Sequence, residues 1–565
     1  SKKVSPLFAL RTSVEGEGSV ACRYLMFVLY LIVCLVVGTL CQSLTGPVVD
    51  TPLGQVRGWE RRSRDGRVYQ AWTGIPYAQP PVGKLRFQAP KPLQKWSGVL
   101  NATGDATPCL QKMNGIVSGS EDCLYLSVYS PKNNRQNMPV LFRVHGGGFQ
   151  GGNMGTRENA DFLMDEDVVL VQIHYRMNGL GFASLGDKVM PGNYGIKDQV
   201  MALKWVQQNI ASFGGDPKSV TVLGESAGGA SSHILLKTPA AEGMVHRALS
   251  DSGTINYIWS ERKPEIVRNG TLQLAAKLGC RITSSNLEIF ECLQGASGED
   301  MIGAMPDGLD GVYSFAPCFE PEDAEDAVIK EDLFELPSNK PWITSNCDGE
   351  FLLNIFMMSP NDVSDAMQNL DAYLERVIAS RLGYQDPERM REGAAILKKL
   401  YFPVMEPLQN FTIELAKVGA DTMFFFPALY NLRYHQGPKW YYHFEYIGEI
   451  TRIELKNFMR KGINVNVAPH AEPKLYYLNE RSSYAVSPKE TPDDYRMSKR
   501  MIKYLVNFAY YDDPTPSGTP TKWDQFKDNQ ILRITNSEND FMGDQSFYQH
   551  LLNILNTWSY VIGWK

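Results

Sequence analysis

The pentapeptide Gly224-Glu225-Ser226-Ala227-Gly228 constrains the fold of this chain more than any other feature of its sequence. Alone it is a weak signal, because 48 glycines among 565 residues generate a G-x-S-x-G by chance roughly 0.3 times. Its surroundings decide the matter. Residues 219–223 form a β-branched apolar run typical of a buried strand, and residues 227–231 resemble the start of a helix. The pattern therefore predicts a sharp strand-to-helix turn with Ser226 at its apex, where small neighbours allow close approach.

A serine at such a turn is a weak nucleophile unless a histidine takes its proton and a carboxylate orients that histidine. Among the eight histidines, His470 is the best candidate for the base, since it follows Pro469 in a predicted loop after Ser226. The carboxylate is expected just after the predicted strand 341–345. Glu350 is favoured by its distance from that strand, and Asp348 stays the alternative because a glycine follows it.

A glycine-rich segment, His145-Gly146-Gly147-Gly148-Phe149, precedes the serine in the chain. The order of glycine loop, nucleophile, acid and histidine is that of the α/β-hydrolase fold. The continuous apolar runs 140–144 and 168–173 are typical of buried parallel strands, and residues 203–213 have the spacing of an amphipathic helix. We therefore predict an α/β chain with a mostly parallel central sheet flanked by helices.

Several further blocks resemble the type-B carboxylesterase and cholinesterase family, and secreted insect carboxylesterases in particular, over most of the chain from about Pro47 onwards. They are the sequences of residues 73–83, 85–87, 120–126, 193–199 and 213–217. The resemblance implies a serine carboxylesterase, a carboxylic ester hydrolase that cleaves a small-molecule ester through an acyl-enzyme. It implies Ser226, Glu350 and His470 as catalytic residues, and the backbone amides of Gly147, Gly148 and Ala227 as the oxyanion hole.

The same resemblance implies three features that hold the chain together. They are an ion pair between Arg86 and Glu121 and two disulfides, Cys109 with Cys123 and Cys280 with Cys292. Of the other five cysteines, Cys22, Cys34 and Cys41 lie in the N-terminal segment expected to be removed. Cys318 and Cys347 remain, and the sequence leaves open whether they are free or paired.

Two other functions remain open for a chain of this type. One is a slow scavenger that binds organophosphates or other xenobiotics stoichiometrically, and the other is a non-catalytic, cholinesterase-like adhesion or binding protein. Because the chain retains Ser226, His470 and all three loop glycines, the sequence favours catalysis over adhesion.

Two features near the predicted site bear on specificity. Glu225 stands where juvenile hormone esterases of this family usually have glutamine before the serine. The Phe424-Phe425-Phe426 run is a candidate apolar wall of the substrate pocket, although aromatic runs more often belong to the core.

Composition argues against several other classes of function. A net charge of −6 and an isoelectric point near 5.9 argue against a nucleic-acid partner. The chain has no spacing of the CxxC or HExxH type and no phosphate-binding loop, so no metal and no cofactor are expected. The oligomeric state is not predicted.

The N-terminal region predicts export. Residues 26–41 have the layout of a secretory signal peptide, and we expect residues 1–25 to be an upstream or non-native segment. Residues 42–565 are then expected to form a single catalytic domain, with no stable membrane span after cleavage. The sequons at Asn101, Asn269 and Asn410 fit a secreted, extracellular glycoprotein.

Overall fold

The computed structural model describes most of the chain from residue 46 to residue 562, together with Val28. It covers residues 46–562 apart from 114, 156–158, 257–258, 306–313, 351–359, 383–385, 405–407, 452–466, 481–489, 528–529 and 538–539. The predicted signal segment 26–41, except Val28, and residues 1–25 lie outside the described residues. Within the described part, no helix combines the length and the apolar character that crossing a membrane requires.

A mixed sheet of eleven strands runs through the centre of the described chain, in the order β16-β15-β14-β13-β12-β11-β9-β10-β8-β4-β3. The pairings from β10 across to β15 are parallel, and antiparallel pairs close both edges. A small sheet of β1, β2 and β5 and a ribbon of β6 and β7 complete the strands. The bounds are β1 Val48–Thr51, β2 Gly54–Arg57, β3 Trp59–Arg62, β4 Val68–Pro76, β5 Val99–Asn101, β6 Gln111–Met113, β7 Ile116–Ser118, β8 Tyr125–Pro131, β9 Met138–Val144, β10 Val169–Ile173, β11 Gly215–Glu225, β12 Arg247–Asp251, β13 Trp342–Cys347, β14 Lys439–Phe444, β15 Leu532–Ile534 and β16 Phe541–Met542.

Helices separate most of the parallel strands along the chain, as crossover connections require. Their bounds are α1 Asn178–Phe182, α2 Tyr194–Asn209, α3 Ala227–Lys237, α4 Pro264–Lys277, α5 Asn286–Gly295, α6 Gly298–Gly303, α7 Pro360–Gln368, α8 Leu370–Leu382, α9 Pro387–Tyr401, α10 Leu408–Ala420, α11 Phe426–Tyr434, α12 Pro492–Tyr511 and α13 Gln545–Ile562. A π-helical turn, Asp421–Phe425, joins α10 to α11. The predicted helix 203–213 is divided, since α2 ends at Asn209 and a 3-10 turn, Ile210–Phe213, follows it.

The central strands show no alternation of buried and exposed residues, because both faces of the sheet are covered. Every residue of β9 is buried. Val140, Phe142 and Val144 pack into one hydrophobic core, while Leu141 packs into a second core on the opposite face. Successive side chains of a strand point to opposite faces, so a continuous apolar run indicates a strand between two helical layers. The predicted α/β architecture is confirmed.

Covalent and ionic links hold the region before β8 and the connection between β12 and β13. Cys109 is bonded to Cys123 and Cys280 to Cys292, the two pairs that the resemblance implied. Arg86 makes a two-pronged ion pair with Glu121, with Nε and Nη2 at 2.7 and 2.6 Å from the two carboxylate oxygens. Cys318 and Cys347 are free and buried, so they form no third disulfide.

Candidate active site

The serine turn lies at the carboxyl end of β11, where neighbouring parallel strands also end. Ser226 has φ 57° and ψ −123°, a conformation that a non-glycine residue holds only when its surroundings impose it. Its backbone N–H donates to Asp251 O at the end of β12, at 2.8 Å. A Cβ on Gly224 or Gly228 would lie 2.4 or 2.1 Å from Val144 O. Both glycines are therefore required by the close packing of β9, β11 and α3.

The glycine loop follows β9 and folds back beside this turn. Gly147 has φ 116°, and its carbonyl accepts from the N–H groups of Gln150 and Gly151 at 3.0 and 3.1 Å. The side-chain amide of Gln111, two residues after Cys109, makes two hydrogen bonds with the backbone of Gly152. Its Oε1 accepts from Gly152 N at 2.8 Å, and its Nε2 donates to Gly152 O at 3.0 Å. Gln111 Nε2 also donates to Cys109 O at 3.0 Å, so this side chain joins the segment of the Cys109–Cys123 disulfide to the glycine loop.

The three amides expected to form an oxyanion hole are available for a ligand. Across the described residues, the N–H groups of Gly147, Gly148 and Ala227 have no hydrogen-bond acceptor in the protein. Ala227 is the first residue of α3, where an N–H has no acceptor within the helix. A developing oxyanion is the kind of acceptor that such amides stabilise.

His470 and Glu350 meet across 120 residues of sequence. Nδ1 of His470 donates to Oε2 of Glu350 at 2.5 Å, and the other carboxylate oxygen accepts from Cys347 N at 2.9 Å. The Glu350 side chain is fully buried, whereas that of His470 is 14% exposed. Gly349 N donates to Ala468 O at 2.8 Å, which aligns the two segments. The contact through Nδ1 leaves Nε2 as the nitrogen able to accept a proton.

Asp348 has a different neighbour. Its side chain is 42% exposed and its Oδ1 lies 3.8 Å from Nε2 of His443, a residue of β14. Of the two carboxylates that the sequence left open, Glu350 is the one in contact with His470.

An aromatic side chain covers the His470 ring. Phe424, in the π-helical turn, has its ring centroid 4.7 Å from that of His470, and Phe425 lies 5.6 Å from His443 instead. Trp259 holds the turn, since its Nε1 donates to Met423 O at 2.9 Å. Of the predicted aromatic run, Phe424 is therefore the residue whose ring lies against His470.

Comparison with known proteins decides the family. A sequence model described as the carboxylesterase family matches residues 45–552. The chain belongs to the carboxylesterase family. It is a carboxylic ester hydrolase with the α/β-hydrolase fold, and the matches do not favour the scavenger or adhesion alternatives.

Among its relatives, this carboxylesterase is 32% identical to a carboxylic ester hydrolase of Bombus ignitus, over 88% of this chain and 92% of that protein. It is also 32% identical to venom carboxylesterase-6 of Apis mellifera, over 89% of this chain and 94% of that protein. A solved structure, juvenile hormone esterase from Manduca sexta with OTFP covalently attached, aligns with a TM-score of 0.78 at 26% identity, covering 92% of this chain and 99% of that one.

Beneath the glycine loop, the carboxylesterase has a buried ionic cluster that the sequence analysis missed. It consists of Arg143, Glu225, Lys474 and Glu480, with Arg143 and Lys474 each in contact with both carboxylates. These residues lie up to 337 positions apart, so spacing could not reveal the cluster. One signal was present, because Arg143 is a charge inside an otherwise apolar strand, and a buried charge needs partners.

Proposed function

We propose that this carboxylesterase uses Ser226 as nucleophile, His470 as general base and Glu350 as the acid that orients it. The observation that carries the proposal is the 2.5 Å contact from His470 Nδ1 to Glu350, on a segment linked to the serine turn. That link is Lys474, whose Nζ lies 3.0 Å from Oε1 of Glu225, the residue before Ser226. A strained serine at the apex of a strand-to-helix turn supports the nucleophile assignment.

The chemistry proceeds by two additions to the ester carbonyl. Ser226 Oγ attacks the carbonyl carbon while His470 Nε2 takes its proton, and the amides of Gly147, Gly148 and Ala227 bind the oxyanion. His470 then gives the proton to the departing alcohol, which leaves an acyl group on Ser226. Water repeats the attack with His470 as base, and the carboxylic acid is released. Loss of one oxyanion donor typically raises the barrier by about 3 to 4 kcal/mol.

Two readouts on one pair of proteins test this proposal. We would measure hydrolysis of a short-chain aryl ester and labelling by a fluorophosphonate probe for the wild-type protein and its Ser226→Ala variant. Both activities should vanish in the variant while its thermal unfolding stays unchanged. Turnover that persists in a folded variant would contradict Ser226 as nucleophile.

The protein is also proposed to be secreted as a glycoprotein. Residues 26–41 have a signal-peptide pattern, the two disulfides suit an oxidising compartment, and Asn101 and Asn269 are exposed in their sequons. The side chain of Asn410 lies outside the described residues. Expression in insect cells should release into the medium a protein that begins near Gln42 and shifts in mass on deglycosylation. Retention inside the cell with residues 26–41 intact would overturn the proposal.

A further inference from the structure

Three donors converge on a single oxygen next to the nucleophile. Oε1 of Glu225 lies 3.0 Å from Lys474 Nζ, 3.1 Å from Gly146 N and 3.5 Å from Arg143 Nη2. Gly146 directly precedes Gly147 and Gly148, whose amides belong to the proposed oxyanion hole. The Glu225 carboxylate therefore connects the nucleophile segment, the glycine loop and the segment that contains His470.

Glu480 completes the cluster from the other side. Its Oε1 accepts from Arg143 at 2.6 Å, and its Oε2 lies 3.0 Å from Lys474. The positive charges of Arg143 and Lys474 therefore balance the negative charges of Glu225 and Glu480. The side chain of Lys474 is 17% exposed, and the other three are less exposed still. Removal of one member of such a cluster leaves a buried charge without its partner. This destabilises the fold more than replacement of the whole cluster by apolar residues would.

The cluster holds Glu225 in its ionised form. Burial on its own favours the neutral acid, but Lys474 first and then Arg143 lower the pKa of Glu225 to about 2. The other titratable groups that interact with this carboxylate are His145, Tyr175, Asp251 and Tyr477. Burial lowers the pKa of His145 to about 4 and raises that of Asp251 to about 6, so Lys474 and Arg143 are the cations that balance Glu225 at neutral pH.

The backbone at Gly146 packs closely against the serine turn. A Cβ on Gly146 would lie 2.4 Å from Glu225 O and 3.2 Å from Ser226 Cβ. An anionic carboxylate accepts a stronger hydrogen bond than a neutral acid does. The charge on Glu225 therefore affects how firmly the Gly146 amide, and the loop that follows it, is held beside Ser226.

We propose that Lys474 is a positioning residue for ester hydrolysis, which acts through Glu225 to hold the glycine loop beside Ser226. Lys474 lies four residues after His470, so the same side chain also joins the base segment to the residue before the nucleophile. The inference rests on the proposed roles of Ser226 and of the loop amides. It adds a residue that touches neither substrate nor reacting atoms.

The first test is the Lys474→Met variant, with aryl ester hydrolysis measured from pH 5.5 to 8.5. We expect kcat to fall about 10-fold at pH 8 with KM unchanged, because a loop displaced by a fraction of an ångström loses transition-state contacts and not ground-state binding. Without Lys474, Arg143 and the Gly146 amide are left to offset the burial of Glu225, so we expect its pKa to rise and its protonation at low pH to weaken the hold on Gly146. The loss should therefore be larger at pH 6 than at pH 8, and Lys474→Arg should restore most of the activity.

A double-mutant cycle separates positioning from general damage. Glu225→Gln keeps an oxygen for the Gly146 amide without a charge, so Lys474→Met should cost much less in the Glu225→Gln background than in the wild type. Lys197→Met is the matched control, because Lys197 is also a buried lysine paired with a carboxylate, Glu320, at 2.7 Å. Its activity per folded molecule should match that of the wild type.

The outcomes distinguish the inference from the function on which it rests. Equal losses in both backgrounds, or a loss that does not vary with pH, would overturn the role of Lys474. If Lys474→Met does not fold, Lys474→Gln takes its place in the same cycle. Wild-type kinetics in these variants, with Ser226→Ala inactive, would reject only the positioning role, whereas an active Ser226→Ala would reject the proposed function itself.

Discussion

The two halves of the candidate site are built in different ways. The serine turn and glycine loop are determined by backbone packing between segments that directly follow β9 and β11, and a Cβ on Gly228 would lie 2.1 Å from Val144 O. The acid–base half depends on a side-chain contact between Glu350 and His470, which are 120 residues apart. The first half is therefore sensitive to added atoms, and the second to the identity of a single polar group.

The largest effect is expected in the acid–base half. Glu350→Gln should lower kcat about 10⁴-fold, since an amide can favour the wrong imidazole tautomer and cannot stabilise the imidazolium. Asp348→Asn is the matched control, because Asp348 lies near His443 and not His470. Steady-state hydrolysis of an aryl ester measures both. Similar losses in the two variants would remove the distinction between the carboxylates.

At the serine turn, an added side-chain atom should lower the stability of the protein. Gly228→Ala is expected to lower the free energy of unfolding by about 3 kcal/mol, because its Cβ would collide with the backbone of β9. Gly295→Ala, at the end of α5 with no atom within 4 Å of the added Cβ, should change it by less than about 0.5 kcal/mol. Urea denaturation measures both. A Gly228→Ala protein as stable as the wild type would contradict the close packing.

The two halves should also differ in how pH affects their stability. His174 packs against His145 of the glycine loop, and burial lowers the pKa of His174 to about 3. Between about pH 3 and pH 6.5, the unfolded chain therefore binds more protons at this residue than the folded protein does. Stability is lost as pH falls through that window, by roughly 2 kcal/mol between pH 7.5 and 5. His174→Gln should make the decrease smaller by about that amount in urea denaturation at the two pH values, while the contribution of His145, whose pKa burial also lowers, stays.

Near the acid–base half, a titrating group changes the stability in the opposite direction with pH. Burial raises the pKa of Asp421, which opens the π-helical turn, to about 7, so its contribution to stability is lost as pH rises from about 4 to 7. Asp421→Asn should remove this opposing contribution, so the loss of stability between pH 7.5 and 5 should be larger in the variant than in the wild type, as measured by urea denaturation at the two pH values. A His174→Gln variant with the wild-type pH dependence would contradict the first assignment.

The smallest effect is expected at the aromatic wall. Phe424→Ala should lower kcat/KM about 10-fold, since Phe424 packs on the His470 ring and its loss admits water and mobility at the base. Phe425→Ala removes an equally buried ring that contacts His443 and should lower kcat/KM by less than about 2-fold per folded molecule. Equal losses would mean that both act through the fold alone.

The comparison also explains what could be predicted from the sequence. The strands around residues 140–144 and 219–223, and the serine turn, are encoded in contiguous residues, so apolar runs and small neighbours predict them. The choice between Glu350 and Asp348 depends on how the segment after β13 pairs with residue 468, which local sequence does not specify. The ionic cluster around Glu225 was missed for the same reason, with Arg143 in its apolar strand as the only local sign.

The most direct test of the central claim is to trap the covalent intermediate. Acid quenching of the enzyme during turnover of an aryl acetate, followed by digestion and mass spectrometry, should find one acetyl group on the peptide that contains Ser226. The Glu350→Gln protein should accumulate this adduct far more slowly, and the Asp348→Asn protein at the normal rate. An acetyl group on another residue, or steady turnover with no covalent adduct, would contradict the mechanism.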